Sequence, residues 1–424
     1  MLVFTEMNYW RQKAYSWLRW SEKYAKADMV YVAKGNSWQI LGQIVTTLLS
    51  FALLTVFANY LPKETYGLYR YILSLASVLG TFSLTGMNQA VAQAAARGDE
   101  GSLRASVRYQ LKWNSVTFLA FCALSGYYFY NNNVTVAISL LIMSICSPLT
   151  ASFNTFGAYL DGKRQFRLNG IFGIISIVVY ALSMMVIIIL SGEVIWLIAI
   201  YSLSTLGTTF AFYLVTLRKF KPPTTEAKDT LKYGRELTFI GFIGPIVSQI
   251  DKIILTHFWG ATQLAVYSLA LAIPDRASIA IKNLVSIGMP KFSNKSPTEL
   301  NRVFYLRISQ GLLVGTVCTI SYVILAPYVF TYLLPKYLDA LFYSQLLSIG
   351  FIFGMPNRYI SLLLTSQKLS KLIFANSLIQ NTVRLLLYVI LGIWGGILGL
   401  VTAQVLNSFI SMLINIAMWR SVKN

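Results

Sequence analysis

Apolar runs of about 20 residues or more recur from Trp38 to the end of the chain, separated by short polar breaks. A bilayer core about 30 Å thick is crossed by about 20 helical residues. In lipid a segment must satisfy its own backbone hydrogen bonds, which an α-helix does internally. The alternative, a soluble domain, needs a charged surface. Only 12% of the 424 residues are charged and 56% belong to the AVILMFWYC set, against about 25% charged in soluble proteins. The reading is an all-α integral membrane protein.

Twelve spans are expected. They run from Trp38 to Tyr60, Tyr66 to Val91, Asn114 to Tyr130, Val134 to Ala158, Leu168 to Leu190 and Val194 to Leu217 in the first half. The second half supplies Glu236 to Trp259, Gln263 to Gly288, Leu306 to Phe330, Leu338 to Ser366, Leu372 to Ile393 and Ile397 to Trp419. Glu64, Asn131 to Asn133, Gly192 with Glu193, Gly260, and Gly395 with Gly396 mark tight connections on one side. Lys and Arg avoid that side: it holds Lys63 and Lys336 only, against 26 on the other. Because cytoplasmic loops are enriched in Lys and Arg, both termini of this multi-pass protein are expected in the cytoplasm. The same asymmetry accounts for most of the +20 formal charge, so a nucleic-acid partner is not expected.

Ahead of the first span, residues 1–37 lack the apolar core of a secretory signal. Trp10, Trp17, Trp20, Tyr24 and Tyr31 recur there at steps of seven, three, four and seven among basic residues. Two readings fit this pattern: an amphipathic helix lying along the cytoplasmic headgroups, or a partly disordered basic tail. Weak self-similarity near a period of 200 sets Tyr66-Gly67-Leu68-Tyr69 against Leu264-Ala265-Val266-Tyr267, and Leu160, Arg164 and Arg167 against Leu364, Lys368 and Lys371. Two six-span units in parallel orientation follow, related by a pseudo-twofold axis along the membrane normal with a cavity between them, as in transporters built from parallel repeats. The expected division is 1–37 as the N-terminal segment, 38–217 and 236–420 as six-helix bundles, 218–235 as a linker with Pro222 and Pro223, and 421–424 as a tail.

Seven basic residues remain in or at the edges of spans: Arg70, Lys252, Arg276, Lys282, Arg307, Arg358 and Arg384, against Asp251 and Asp275. A charge facing lipid at the helix centre costs about 2.5 to 3.5 kcal/mol on insertion scales, so such groups face a wet cavity or a partner. The surplus of cations implies a cavity for an anion, since a low-dielectric wall concentrates the field. Arg70, Arg276, Lys282, Arg358 and Arg384 are the candidate substrate-binding cations. Lys252, Lys282 and Arg307 lie near span ends, where headgroups are within reach of a long side chain. Asp251 is the candidate ligand for a coupling ion, Na⁺ or H⁺. Asn376 and Gln380 share a helix face four residues apart and could complete an oxygen cluster with it; a local ion pair for Asp251 is the competing reading. Prolines 148, 245, 274 and 356 mark bends. Cys122, Cys146 and Cys318 sit in apolar runs without metal-ligand spacing, and His257 is the single histidine, so no structural metal, haem or disulfide framework is expected.

Leu61-Pro62-Lys63-Glu64-Thr65-Tyr66-Gly67-Leu68-Tyr69 followed by Ser83-Leu84-Thr85-Gly86-Met87-Asn88-Gln89-Ala90 resembles the first-to-second-span region of Wzx-type polysaccharide-repeat flippases of the MOP exporter superfamily. Gln249-Ile250-Asp251-Lys252-Ile253-Ile254-Leu255, Tyr267-Ser268-Leu269-Ala270 and Met289-Pro290-Lys291-Phe292-Ser293 are similar to that family's seventh and eighth spans. The resemblance covers the chain from about residue 30. It implies a MATE-like fold of two six-helix bundles, and transfer of an undecaprenyl-pyrophosphate-linked oligosaccharide to the outer leaflet for surface polysaccharide synthesis. It also implies a cation site with an acid in the seventh span, matched here by Asp251, whereas the acid often found in the eleventh span is replaced by neutral Gln380. A monomer working beside polysaccharide polymerase machinery is expected. The alternatives weighed are a multidrug exporter, for which the basic excess is the wrong sign, and a lipid II flippase, which usually has two further spans. A membrane-embedded glycan polymerase or ligase is the third, for which the loops opposite the basic side are too short to carry an acid/base pair.

Overall fold

The computed structural model describes residues 29–224, 227–286, 297–367 and 370–421. The aromatic stripe of the N-terminal segment falls largely outside them, as do most of the tail and the side chain of Lys282. Every regular element among the described residues is helical. The first half carries α1 (Met29–Tyr60), α2 (Lys63–Leu79), α3 (Met87–Ala96), α4 (Ser102–Trp113), α5 (Ser115–Tyr130), α6 (Val134–Phe153), α7 (Thr155–Gly162), α8 (Phe166–Leu190) and α9 (Val194–Phe220). The second carries α10 (Lys228–Gly241), α11 (Ile243–Val247), α12 (Ile250–Trp259), α13 (Ala261–Ser286), α14 (Pro297–Leu333), α15 (Asp339–Ser348), α16 (Gly350–Ser366) and α17 (Ser370–Ser421).

Eight segments among the described residues are long and apolar enough to cross a membrane. One of them, Leu372–Ser421, is 50 residues long and holds the two last expected spans. Gly396 interrupts it with φ 55° and ψ −133°, a backbone state foreign to L side chains. The chain reverses there: a Cβ on Gly399 would stand 1.8 Å from the Leu391 carbonyl oxygen, so the two arms touch backbone to backbone. Three further expected spans are helical but fall short of that measure for different reasons. The second is broken: α2 ends after 17 residues in a 3₁₀ turn at Gly80–Phe82 before α3 begins. The third, α5, has 16 residues. The eighth, α13, carries Asp275 and Arg276 in mid-helix after Pro274.

Polarity runs inward. Leu190, Trp394 and Leu48 are among many large apolar side chains left exposed on the outside, which a lipid solvent rewards, while Asp251, Asn376 and Asn415 are buried. One apolar core runs through both halves, from Phe57, Tyr66 and Tyr69 to Tyr267, Phe330 and Tyr337. Its seam is the packing of α2 along α13, the two helices that the internal similarity pairs. Gly67 makes that approach feasible, since a Cβ there would stand 1.8 Å from the Ala261 carbonyl oxygen. A second cluster around Met87, Tyr159 and Phe212 fills the first half, and a third around Phe304, Leu363 and Trp419 fills the second.

At the end carrying the short connections, the halves are tied by polar contacts. Lys63 Nζ pairs with Asp339 Oδ2 at 2.6 Å, Lys336 Nζ donates to the Asn59 carbonyl at 2.6 Å, and Asn59 Nδ2 donates to the Leu333 carbonyl at 3.0 Å. At the end with the basic connections α3 meets α10, where the Gly86 N–H donates to Thr238 Oγ1 at 3.0 Å.

Candidate functional site

Three helices converge where the halves meet. Arg70 stands two turns into α2, Asp275 and Arg276 follow Pro274 in α13, and Lys252 opens α12 just after the helix breaks at Ser248 and Gln249. Together with Tyr66 and Ser268 they line a cavity of about 410 Å³ at the seam. Lys252 Nζ donates to Gln249 Oε1 at 2.7 Å, a neutral partner that leaves its charge uncompensated. The Arg70 Nε is buried without a hydrogen-bond partner among the described residues.

Next to this cavity lies a buried carboxylate. Asp251 is 3% exposed, and its Oδ2 accepts from the Tyr267 hydroxyl at 2.9 Å while its Oδ1 is buried with no hydrogen-bond partner among the described residues. Arg384, from α17, lies with its guanidinium 5.0 Å from the Tyr388 ring centre, a cation–π arrangement, and its Nε also has no hydrogen-bond partner among the described residues. Arg70, Lys252, Arg276 and Arg384 with Asp251 and Asp275 form one electrostatic cluster. Four cations against two acids leave it positive. None of the six makes a direct ion pair among the described residues. Buried charges normally find partners, so the surplus is poised for an anion from outside the chain. Arg recognises phosphate oxygens with a planar fork of donors.

A second cavity, about 510 Å³, lies within the second half between α16 and α17, toward the basic connections. Arg358 reaches its wall, with one guanidinium nitrogen donating to the Ser278 carbonyl of α13. Asn376 and Gln380 also line it, held in a carboxamide network. Asn376 Nδ2 donates to Asn415 Oδ1 at 2.6 Å, Gln380 Nε2 donates to the same oxygen at 3.1 Å and to Asn376 Oδ1 at 2.8 Å, and Asn415 Nδ2 donates to Asn357 Oδ1 at 2.8 Å.

The structure thus sorts the residues singled out from sequence. Arg70 and Arg276 meet at the seam and Arg384 joins them beside Asp251. Arg358 is diverted to the second cavity. Asn376 and Gln380 bond to other amides, and no hydrogen bond among the described residues joins either to Asp251. Both amides are satisfied by Asn415 on the other arm of α17, a partner that one helix's periodicity cannot identify. Lys252, read from its place near a span end, turns inward because the helix restarts at Ile250. Arg307 is exposed and donates to Gln310 Oε1 at 3.0 Å. Asn357, Asn407 and Asn415 were missed; isolated amides in otherwise apolar spans were the available signal.

Helices that expose apolar residues outward and enclose a cationic seam between two halves define a multi-pass membrane protein of the transporter class. Residues 32–294 match the family described as polysaccharide biosynthesis protein, and the chain belongs to that family. A putative O-antigen transporter of Shigella flexneri is 21% identical over 286 residues, spanning 62% of this chain and 67% of its own length. Among solved structures, the lipid II flippase MurJ in an inward closed conformation superposes with a TM-score of 0.70 at 16% identity, covering 91% of this chain and 88% of its own. An outward-facing multidrug resistance MATE family transporter of the MOP superfamily gives 0.60 at 13% identity, covering 92% and 95%. The chain is a multi-pass membrane protein of the polysaccharide biosynthesis family, with the fold of the MOP superfamily.

Proposed function

We propose that this protein moves an undecaprenyl-pyrophosphate-linked oligosaccharide from the cytoplasmic to the outer leaflet of a bacterial inner membrane, supplying surface polysaccharide synthesis. The observation that carries the reading is the seam cavity, where Arg70, Lys252 and Arg276 face one lining acid, Asp275. A pyrophosphate brings the missing negative charge, and a cavity between two halves lets a rocking motion expose it to either side. Twelve spans in two six-helix bundles, at 38–217 and 236–420 with both termini cytoplasmic, is the arrangement this mechanism uses, and the positive bias of the loops supports it. Asp251 is the residue through which Na⁺ or H⁺ would couple, with its free Oδ1 as the point of attachment. The protein acts as a monomer that hands its cargo to polysaccharide polymerase machinery.

Family membership and the similarity to an O-antigen transporter support a glycan cargo over a drug. Deletion of the gene tests it. The expected result is loss of surface polymer with accumulation of the lipid-linked repeat unit on the cytoplasmic side. Unchanged surface polysaccharide with altered sensitivity to cationic drugs would instead favour the multidrug function.

A further inference from the structure

The carboxamide cavity has a chemistry distinct from the seam. Asn357, Asn376, Gln380, Asn407 and Asn415 bring five side-chain amides to its wall, with Ser361, Ser377, Ser408 and Ser411 adding hydroxyls. Among the described residues the wall has one charged side chain, Arg358, and no carboxylate. That composition sets a cation beside the positive Arg358 with no anionic ligand to offset it, and a pyrophosphate is served better by the seam. Amides and hydroxyls each present donors and acceptors, the pairing that vicinal sugar hydroxyls require. The volume of about 510 Å³ lies in the range of small-molecule sites, roughly 300 to 1,000 Å³.

The amides are also held in place before any ligand arrives. Asn415 accepts two hydrogen bonds and donates one, and Asn357 Nδ2 donates to the Ser408 carbonyl at 2.9 Å, so these two are committed to the network. Unused capacity lies at its edge. Asn407 Oδ1 is buried without a partner, and Gln380 Oε1 accepts nothing among the described residues. A site whose inner amides are saturated and whose outer ones are open is preorganised for hydroxyl donors.

We propose that this cavity is a saccharide subsite, which takes uncharged, hydroxyl-rich sugars of the cargo while the seam takes its pyrophosphate. The inference rests on the transport reading above. It assigns Gln380 and Asn407 to sugar recognition, with Arg358 at the wall as a further donor to sugar oxygens.

Binding to the full-length protein in lipid nanodiscs tests it with two probes. These are undecaprenyl pyrophosphate alone and the lipid-linked oligosaccharide extracted from cells lacking the gene. Wild type is expected to bind the glycosylated lipid about tenfold more tightly, the equivalent of one or two net hydrogen bonds. The double variant Gln380→Leu with Asn407→Leu should lose that advantage and keep its affinity for the bare lipid. Ser377→Leu, which fills space at an exposed position outside the amide network, should do the same and guards against a folding defect in the first variant. Arg70→Ala should weaken both probes. The subsite is overturned if the variants retain the sugar-dependent advantage, or if wild type binds both lipids equally while Arg70→Ala weakens both; in that case the transport reading stands. If wild type binds neither lipid, the transport reading fails and the subsite with it.

Discussion

Arg70 and Arg384 share an incomplete set of partners, each with a buried Nε that nothing among the described residues satisfies. An unpaired buried donor costs about 1 to 3 kcal/mol, more when charged, so natural selection has little reason to keep either for stability. Replacing Arg70 by Ala removes one of three cations from the seam, and export of the glycan is expected to fall at least tenfold while membrane insertion is unchanged. Arg70→Lys should recover only part of the loss, because an ammonium restores charge without the guanidinium fork. Arg384→Ala should behave as Arg70→Ala does, since it also leaves Asp251 with less positive surroundings. Surface polymer measured against protein level in the membrane checks all three, and normal export by the alanine variants would remove these residues from the cargo site. The charges themselves were readable from sequence, because a charge inside an apolar run stands out. Which cavity each faces was not. Arg358 and Arg384 lie on neighbouring helices of the same half, yet one bonds to the Ser278 carbonyl and the other stacks on Tyr388, a choice made by rotation of α16 and α17 that no periodicity encodes.

Among the helices, the decisive contacts are made where side chains are missing. Gly67 in α2 and Gly126 in α5 are both helical glycines, and replacing either by Ala gains up to about 1 kcal/mol of helix propensity. At Gly126 nothing lies within 4 Å of the added Cβ, so Gly126→Ala should be neutral or slightly stabilising. At Gly67 the Cβ would meet the backbone oxygen of Ala261 at 1.8 Å, and overpacking of this kind costs about 1 to 3 kcal/mol or more. Gly67→Ala should therefore lower the melting temperature and shift the α2–α13 seam apart, while Gly126→Ala leaves both unchanged. Thermal unfolding of the two purified variants decides it, and equal melting temperatures would mean the seam is not packed as described. Sequence predicted Gly395 and Gly396 as a tight reversal, and the positive φ of Gly396 is the physical content of that signal. Pro245 marked a bend in the seventh span, which is assembled from α10, α11 and α12, but sequence could not predict the breaks at Gly80–Phe82 and at Ser248 and Gln249. Those breaks depend on what packs against the helix, not on its own apolar count.

At the scale of the whole molecule, the end with the short connections is shut by apolar packing of Tyr66 against Tyr337 beside Phe330 and Leu334, and by a few weak polar contacts. The Lys63–Asp339 pair is 2.6 Å long, but its side chains are 32% and 49% exposed, and exposed pairs of this kind contribute about 0 to 1 kcal/mol. Two further hydrogen bonds, from Lys336 and Asn59 to backbone carbonyls, join the same two halves. Alternating access requires this closure to part in each cycle, and the polar contacts are the weaker share of what must be broken. Removing the pair should therefore matter little: Lys63→Ala is expected to keep export within about twofold, since under about 1 kcal/mol is at stake. Making the closure permanent should matter fully. In a background with Cys122, Cys146 and Cys318 replaced, cysteines at positions 63 and 339 joined by a short bifunctional maleimide would tether the halves at this end. Export should cease on cross-linking and return when a cleavable linker is cut, with each single-cysteine protein unaffected by reagent. Transport that continues in the cross-linked protein would show that the halves do not part here, and the cargo would then need a route that leaves this end closed.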